Sequence, residues 1–298
     1  MNPIPAAGRA PTDATSPFLL LGEGGARAFN AIAIEKELQA LWKSPPGTNA
    51  FCRAALANLI VPMEVELDRM APVLAEVTRR HPARLLRVMR ATSPPADPEH
   101  LVARATALCH LREGGGGFVC SEQVMIEYTD RTAALVPSAV RSLLIGDLPV
   151  VLLSLTSRPR VDWMEELASL AEIVVEDSCV EEEPSGLASV WERTGRKGAP
   201  MHDLAWARLE AWRATMAGLF DAPDAAPALG ALHDVTIVHG GADPPSPAWL
   251  FAGWLASRLG WRLENRDGAR FRFRARGGDA VPGGAAGAAA AGGAAGKA

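Results

Sequence analysis

The feature of this sequence that most restricts its fold is an apolar run followed by a helical segment and then a second apolar run. Residues 54–61 read Ala-Ala-Leu-Ala-Asn-Leu-Ile-Val, an almost continuous apolar stretch that is typical of a strand covered on both faces. A helix is predicted from about Glu64 to Arg80, and a second strand at 84–90. This order and spacing predict a crossover connection between two parallel strands.

Farther along the chain, predicted strands continue to alternate with predicted helices. Two of the strands flank a Gly-rich turn and predict an antiparallel addition to the sheet. The predicted elements here are strands at 101–111 and 117–128, a helix at 131–145, a strand at 148–155, a helix at 162–170 and a strand at 171–175. The alternation predicts an α/β domain over residues 30–200, with a mainly parallel, Rossmann-like sheet and flanking helices.

The pattern changes after residue 200, where two tryptophan-containing segments are predicted to be helices. The first begins at Asp203, whose carboxylate is suited to accept hydrogen bonds from the free N–H groups of a first helical turn. The second has Ser246 as its N-cap and Gly260 just past its end. A short strand and a hairpin are predicted around this second helix, so we expect residues 201–276 to form a smaller α+β domain.

The first of these helices is predicted to bury one side. Its apolar residues recur at helical spacing, and core packing is therefore the expected role of its aromatic side chains. The residues of this stripe are Ala205, Leu209, Trp212, Met216 and Leu219.

The ends of the chain and its composition limit the class of protein. Residues 1–29 are expected to be a flexible tail, and residues 277–298, almost entirely Gly and Ala, are expected to be disordered. The formal net charge of −4 gives no bulk reason to bind nucleic acid or an anionic membrane. No apolar run approaches membrane-spanning length, and the N-terminus does not resemble a secretory signal. We expect a cytoplasmic protein.

The four cysteines are scattered, at Cys52, Cys109, Cys120 and Cys179, without metal-ligand spacing. In a cytosolic chain such cysteines are expected to be reduced and to pack as small apolar residues. Cys109 and Cys120 flank the Gly-rich turn at 114–117, so a hairpin could bring them close. A redox role for any of the four stays open.

The sequence contains no recognisable catalytic constellation. Its six histidines are isolated, and neither a His-Glu-x-x-His nor a Gly-x-Ser-x-Gly motif occurs. We therefore predict no catalytic residue, no metal site and no cofactor.

The most concentrated basic cluster lies in the predicted hairpin near the end of the second domain. Arg270, Arg272 and Arg274 alternate with Phe271 and Phe273, so the aromatic rings should face the core and the arginines should face solvent. These arginines could pair with carboxylates of a partner or with a ligand phosphate. Alternatively, they protect an exposed sheet edge from aggregation.

Two segments carry a resemblance to a known family. One reads Asp-Leu-Ala-Trp-Ala-Arg-Leu-Glu-Ala-Trp-Arg over 203–213, and the other reads Phe-Ala-Gly-Trp-Leu-Ala-Ser-Arg-Leu over 251–259. Three more similar segments precede them in the same order, at 33–42, 80–89 and 146–152. Together they closely resemble the OpcA family, the glucose-6-phosphate dehydrogenase assembly proteins, across most of the chain.

The resemblance implies a non-catalytic protein that binds glucose-6-phosphate dehydrogenase, promotes its active oligomer and activates it allosterically, supporting NADPH production by the oxidative pentose phosphate pathway. It marks Trp206, Trp212 and Trp254, with the Asp203 cap, as a structural motif, and we expect the tryptophans to be mostly buried. For contact with the partner we favour arginines, because Arg is common at interface hot spots. These candidates are Arg208, Arg213, Arg258, Arg270, Arg272 and Arg274.

Two other functions stay open on the sequence. Ligands of α/β proteins usually bind in the crevice at the carboxyl ends of the parallel strands. The chain could be an enzyme that uses this crevice, with Ser157 and Arg158 in contact with a phosphate. It could instead be a redox or metabolite sensor built on the same scaffold, in which case oxidation of a cysteine would change its affinity for a partner.

Overall fold

The 298-residue chain divides into two compact units. A computed structural model describes residues 18–22, 25–43, 51–63, 67–93, 97–112, 117–155, 162–180, 200–232, 235–240, 246–267, 270–274 and 280–284. The first unit comprises residues 1–176 and 197–201, and the second comprises residues 177–196 and 202–298.

The larger sheet begins in the first unit and has ten described strands. They are β1 (Phe18–Leu21), β2 (Arg27–Ala28), β3 (Phe51–Arg53), β4 (Ala57–Met63), β5 (Ala83–Arg90), β6 (Val102–Leu111), β7 (Phe118–Tyr128), β8 (Val150–Ser154), β9 (Ile173–Glu176) and β10 (Met201–Asp203). The helices of this unit are α1 (Ala31–Leu41), α2 (Leu67–Arg80), α3 (Val136–Ser142) and α4 (Asp162–Leu170).

The strand order confirms the predicted Rossmann-like α/β fold. The main path of the sheet is β1-β6-β7-β5-β4-β8-β9-β10, and β2 and β3 pair with β6 and β7. The five strands from β7 to β9 are parallel to one another, whereas β6 is antiparallel to β7, as the Gly-rich turn predicts. Counted along the chain, those five strands lie in the order three, two, one, four, five, which is that of a Rossmann fold.

The central strand β4 shows why a continuous apolar run marks a parallel sheet. Every residue from Asn58 to Met63 is buried, because helices cover both faces. Ile60 packs in a cluster with residues of α1, α3 and α4, whereas Leu59 and Val61 pack with Leu74 of α2. Successive side chains therefore enter two separate cores.

Asn58 is the polar exception in that run, and it fixes the turn before β8. Its side-chain nitrogen donates to the carbonyl oxygens of Ile145 and Leu148, at 3.0 and 3.2 Å, and its side-chain oxygen accepts from the Ile145 N–H at 2.8 Å. Within this turn Asp147 adopts a φ of 66°. The buried Asn58 side chain thus satisfies backbone N–H and C=O groups of this turn. The turn overlaps residues 146–152, one of the segments that carry the family resemblance.

The described part of the second unit combines three α-helices with a small sheet, in agreement with the predicted smaller α+β part. The helices are α5 (Leu204–Arg208), α6 (Glu210–Gly218) and α7 (Ser246–Leu259), with 3-10 helices at Ser178–Val180 and Ala226–Ala231. The sheet has the order β11-β14-β13-β12, with β11 (Val235–Thr236), β12 (Arg262–Asp267), β13 (Arg270–Arg274) and β14 (Ala280–Gly284).

Helix α7 ends as predicted at Gly260. That residue adopts a φ of 68°, and the N–H of Trp261 donates to the Ala256 carbonyl oxygen at 2.8 Å. This is the pairing of a Schellman motif, in which a left-handed residue closes the helix. The buried face of α7 contributes Phe251 and Leu255 to the core of the unit.

The predictions of unstructured tails are wrong in part. Within 1–29, strands β1 and β2 pair with β6, and Leu21 is buried. Within 277–298, β14 pairs with both β13 and β11. Backbone hydrogen bonding needs no apolar side chain, so a Gly/Ala segment can add a strand wherever a neighbouring strand has free N–H and C=O groups. For the remaining residues of both tails, which lie outside the described residues, the prediction is not tested.

The expectation of reduced cysteines is also wrong for one pair. Cys109 and Cys120 form a disulfide, and both are fully buried. The register of β6 and β7 places them directly opposite each other, with 3.9 Å between their Cα atoms. Cys52 and Cys179 are free and exposed.

Candidate functional site

The Asp203 side chain organises the start of the first tryptophan segment. One carboxylate oxygen accepts from the N–H groups of Ala205 and Ser178, at 2.9 and 3.1 Å, and the other accepts from the Ser178 hydroxyl at 2.7 Å. The hydroxyl of Ser246, at the start of α7, donates to the Ser178 carbonyl oxygen at 2.6 Å. The predicted N-cap is confirmed, and it also holds the starts of α5 and α7 to one short segment.

The predicted single helix after Asp203 is broken at Leu209. Helix α5 ends at Arg208 and α6 begins at Glu210. Leu209 is buried, but Trp212 is 68% exposed and Trp206 is 37% exposed. The expectation that the tryptophans are mostly buried is therefore wrong for Trp212, because the break removes the continuous stripe on which it depended.

Trp206 is held by a cation–π contact. The Arg213 guanidinium carbon lies 3.6 Å from the centroid of the Trp206 ring, and a terminal nitrogen of Arg213 donates to the Trp206 carbonyl oxygen at 2.6 Å. Both contacts preorganise the two side chains. The exposed Trp212 directly precedes Arg213 in α6, and we call Trp206, Trp212 and Arg213 together the aromatic surface.

Arg208 is engaged within the second unit. Its guanidinium donates two hydrogen bonds to the Asp177 carboxylate, at 2.8 and 2.7 Å, and contacts the Cys179 sulfur at 3.5 Å. Burial opposes ionisation of Asp177, but hydrogen bonds from Arg208 and from the Cys179 N–H hold its pKa below the usual range. Burial and the Asp177 charge raise the pKa of the Cys179 thiol, so it is a weak nucleophile at neutral pH. The role of Arg208 in partner binding stays a prediction.

Trp254 and Arg258 lie beside a pocket of about 480 Å³ in the second unit. Trp254 is half-buried and packs against the Phe251 ring, whereas Arg258 is exposed. The lining is mainly apolar and comes from α6, the 3-10 helix at Ala226–Ala231 and α7. It includes Met216, Phe220, Leu229 and Trp254, with Asp221 and Arg258 as its charged members.

The arginines of β13 lie on an inner strand of the small sheet, not on an edge hairpin. Strands β12 and β14 flank β13, so the explanation based on protection of a free edge does not apply to it. Phe271 packs edge-on against Trp249 with ring centroids 4.2 Å apart, as the alternation predicts for the core face. Arg272 and Arg274 are exposed, and Arg274 pairs with Glu264. For Arg270 only the backbone is described.

The crevice candidates Ser157 and Arg158 lie outside the described residues. Within the described ranges, no group of three or more His, Cys, Asp or Glu side chains is placed to hold a metal ion, and no helix is long and apolar enough to cross a membrane.

Sequence reasoning missed a buried ionic cluster in the first unit. Arg84 on β5 donates to Glu122 on β7, at 2.9 and 2.6 Å, and also pairs with Glu35 on α1. Glu122 further accepts from Arg53 at 2.8 Å and from the Trp42 indole N–H at 3.1 Å. The sequence did contain a signal for this cluster, because Arg84 and Glu122 are charged residues inside predicted strands that are otherwise mainly apolar. The cluster joins two of the segments that carry the resemblance, 33–42 and 80–89.

Family comparisons match both units. Residues 75–192 match a family model described as the glucose-6-phosphate dehydrogenase subunit N-terminal domain, and residues 199–286 match the corresponding C-terminal domain. The chain belongs to the OpcA family. The C-terminal match includes α5, α6, α7 and the small sheet through β14, so the last strand is part of the OpcA domain.

Curated relatives carry the same family name. A protein from Nostoc punctiforme named OxPP cycle protein OpcA is 31% identical over 199 residues, which are 66% of this chain and 42% of the relative. A protein of the same name from Synechococcus elongatus is 24% identical over 233 residues, which are 77% of this chain and 48% of the relative. The chain thus spans less than half the length of these OpcA relatives.

Proposed function

We propose that this OpcA chain is a non-catalytic partner of glucose-6-phosphate dehydrogenase, which it binds through the aromatic surface and activates by favouring the active oligomer. The proposal is supported by the descriptions of both matching domains, which name a subunit of that dehydrogenase. The structural observation that carries it is the exposure of Trp212, the residue that precedes Arg213 of the Trp206–Arg213 stack. The proposal includes the cytoplasmic location that the sequence predicts.

The aromatic surface has the composition of an interface hot spot. Trp and Arg are the residue types most enriched where interface binding energy concentrates. Trp212 leaves 68% of its area in contact with water. Covering an indole of that exposure contributes roughly 2–4 kcal/mol, at about 25 cal/mol per Å². Because Arg213 already holds Trp206 in place, little side-chain entropy is lost when a partner packs against the pair.

Activation without a catalytic group follows from linkage. A protein that binds only the active oligomer of an enzyme shifts the population toward that oligomer by its differential affinity. The chain then raises the rate without contacting the substrate. The rate should rise with its concentration and level off when every competent dehydrogenase subunit is occupied.

The first experiment titrates the purified chain against the glucose-6-phosphate dehydrogenase of the same organism. NADPH formation is followed at each ratio, and the mixture is analysed by size-exclusion chromatography with light scattering. We expect a saturable increase in rate and a co-migrating complex. An active dehydrogenase with unchanged rate and no complex would refute the proposal.

Trp212→Ala tests whether the aromatic surface makes the contact. We expect it to weaken binding of the dehydrogenase about 30-fold, the effect of a hot-spot truncation worth about 2 kcal/mol. Val73→Ala is the matched control, since Val73 on α2 is an apolar side chain that is 48% exposed. It should bind within about twofold of the wild type. If Trp212→Ala and Val73→Ala bound the dehydrogenase with equal affinity, the aromatic surface would not be part of the interface.

The Cys109–Cys120 disulfide favours a second candidate function, a redox sensor on the same scaffold. A sensor predicts that reduction of the chain changes its affinity for the dehydrogenase. The comparison is the titration with oxidised chain, reduced chain and the Cys109→Ser/Cys120→Ser variant. Three indistinguishable curves would exclude the sensor and leave the disulfide a structural role.

A further inference from the structure

Helix α6 presents an apolar stripe to solvent. Trp212, Met216 and Leu219 follow one another at intervals of four and three residues, so they lie on one face of the helix. Trp212 is 68% and Leu219 is 62% exposed, and the helix has no fully buried residue. An apolar face that remains open to water in this way marks an interaction site.

The stripe leads directly into the pocket between α6 and α7. Its middle residue, Met216, is half-buried and lines that pocket together with Phe220 and Trp254. The pocket volume of about 480 Å³ is sufficient for a large apolar side chain. A small molecule in the pocket would leave Trp212 and Leu219 uncovered, whereas a segment of a protein can cover the stripe and fill the pocket at once.

Two opposite charges complete this surface. Asp221 and Arg258 line the pocket, and both side chains are exposed. Within the described part of the chain, neither side chain has an ion pair or a hydrogen bond. Charges without internal partners beside an apolar pocket are available to complementary charges on a ligand, and they select its orientation.

We propose that the α6 stripe and the pocket receive an amphipathic helix of the partner protein, with one large apolar side chain in the pocket and an acidic side chain against Arg258. Trp212 and Leu219 are seven residues apart, about 10 Å along the helix axis, which matches two turns of an opposing helix. Helix-in-groove recognition uses apolar anchors at this spacing. The identity of the partner rests on the proposed function, whereas the chemistry of the segment rests on the pocket and its charges.

Filling the pocket from within provides the sharpest test. Ala217 lines the pocket on α6 and is exposed, so Ala217→Phe occupies the space without removing a buried contact. Ala214→Phe is the matched control, since Ala214 is an exposed alanine of the same helix whose side chain is outside the pocket lining. Arg258→Glu reverses the charge and provides an independent second variant.

Binding of the intact dehydrogenase to each full-length variant is measured by titration calorimetry. We expect Ala217→Phe to raise Kd about 30-fold or more and Arg258→Glu to raise it about tenfold, with Ala214→Phe within about twofold of the wild type. If the wild-type chain binds the dehydrogenase and Ala217→Phe leaves the Kd unchanged, the assignment of the pocket is overturned. The proposed function would stand in that case. Absence of a wild-type complex would overturn both. A dimer of this chain alone that Ala217→Phe abolishes would assign the surface to a second copy instead.

Discussion

His110 shows how one residue makes stability depend on pH. It is buried on β6, and its Nε2 lies 3.5 Å from the Thr78 hydroxyl of α2. Burial first, and then the positive charge of Arg79, lower the pKa of His110, with Glu76 opposing them. The unfolded chain, in which the pKa is about 6.5, therefore binds the proton more readily than the folded chain does. The contribution of His110 to the free energy of unfolding is therefore fully present above a pH of about 6.5, and it is lost as the pH falls below that value.

We predict that His110→Gln reduces this dependence. Between pH 6.5 and pH 5, the free energy of unfolding should fall more steeply for the wild type than for the variant, by at most about 1.4 kcal/mol per pH unit. Urea unfolding at half-unit pH intervals measures both slopes. His81→Gln, at an exposed histidine, should retain the wild-type slope. Equal slopes for His110→Gln and the wild type would show that His110 is not the group that titrates.

At the scale of secondary structure elements, the hairpin of β6 and β7 depends on register. Ten residue pairs face each other from Val102 and Glu127 to Leu111 and Phe118. Since side chains alternate between faces, a shift of one residue between these two strands would move Cys109 and Cys120 out of opposition. The register of β7 against β6 therefore determines the disulfide, whereas its register against β5 on the other side places Glu122 near Arg84.

We predict that the disulfide stabilises this hairpin. Cys109→Ser/Cys120→Ser should lower the free energy of unfolding by roughly 2–3 kcal/mol, because the bond closes a short loop in the unfolded chain. Thermal unfolding with and without reductant measures the effect, and reductant should lower the Tm of the wild type only. Cys52→Ser/Cys179→Ser removes two exposed free thiols and should leave the Tm unchanged. A wild-type Tm that is insensitive to reductant would contradict the bond.

At the scale of the whole molecule, charged side chains occupy two kinds of environment. In the first unit Arg84 and Glu122 are each about 2–3% exposed in their side chains and connect β5, β7 and α1 through buried ion pairs. In the second unit the charges of Arg258 and Asp221 lie at the surface. Buried charges of the first kind stabilise a fold only while every partner is present, whereas exposed charges of the second kind can exchange partners.

We predict that Arg84→Met is strongly destabilising. It leaves the buried Glu122 carboxylate short of hydrogen bonds, and loss of one partner of a buried ion pair costs roughly 3–5 kcal/mol. Arg90→Met on the same strand removes an exposed pair with Asp130 and should cost less than about 1 kcal/mol. Urea unfolding of both variants provides the comparison. If Arg84→Met were no more destabilising than Arg90→Met, the cluster would not contribute to the fold.

Prediction from sequence succeeded where a local pattern has one structural solution. The apolar run that includes β4 predicts a strand covered on both faces, and α2, β5 and β7 were all located within a few residues of their observed bounds. Asp203 and Gly260 were identified as helix ends because capping depends only on adjacent backbone groups. The alternation of strands and helices predicted a mainly parallel sheet, whereas the order of its strands came from the structure.

Other features were decided by the tertiary structure alone. Helical spacing showed which residues share a face with Trp212, but the break at Leu209 determined that this face is open to solvent. The spacing of Cys109 and Cys120 allowed a bond without requiring it, since opposition depends on the strand register. The Gly/Ala-rich composition around β14 gave no sign of a strand, because its pairing uses backbone N–H and C=O groups rather than particular side chains. Local patterns determine elements and their ends, whereas exposure, register and pairing depend on what the rest of the chain places beside them.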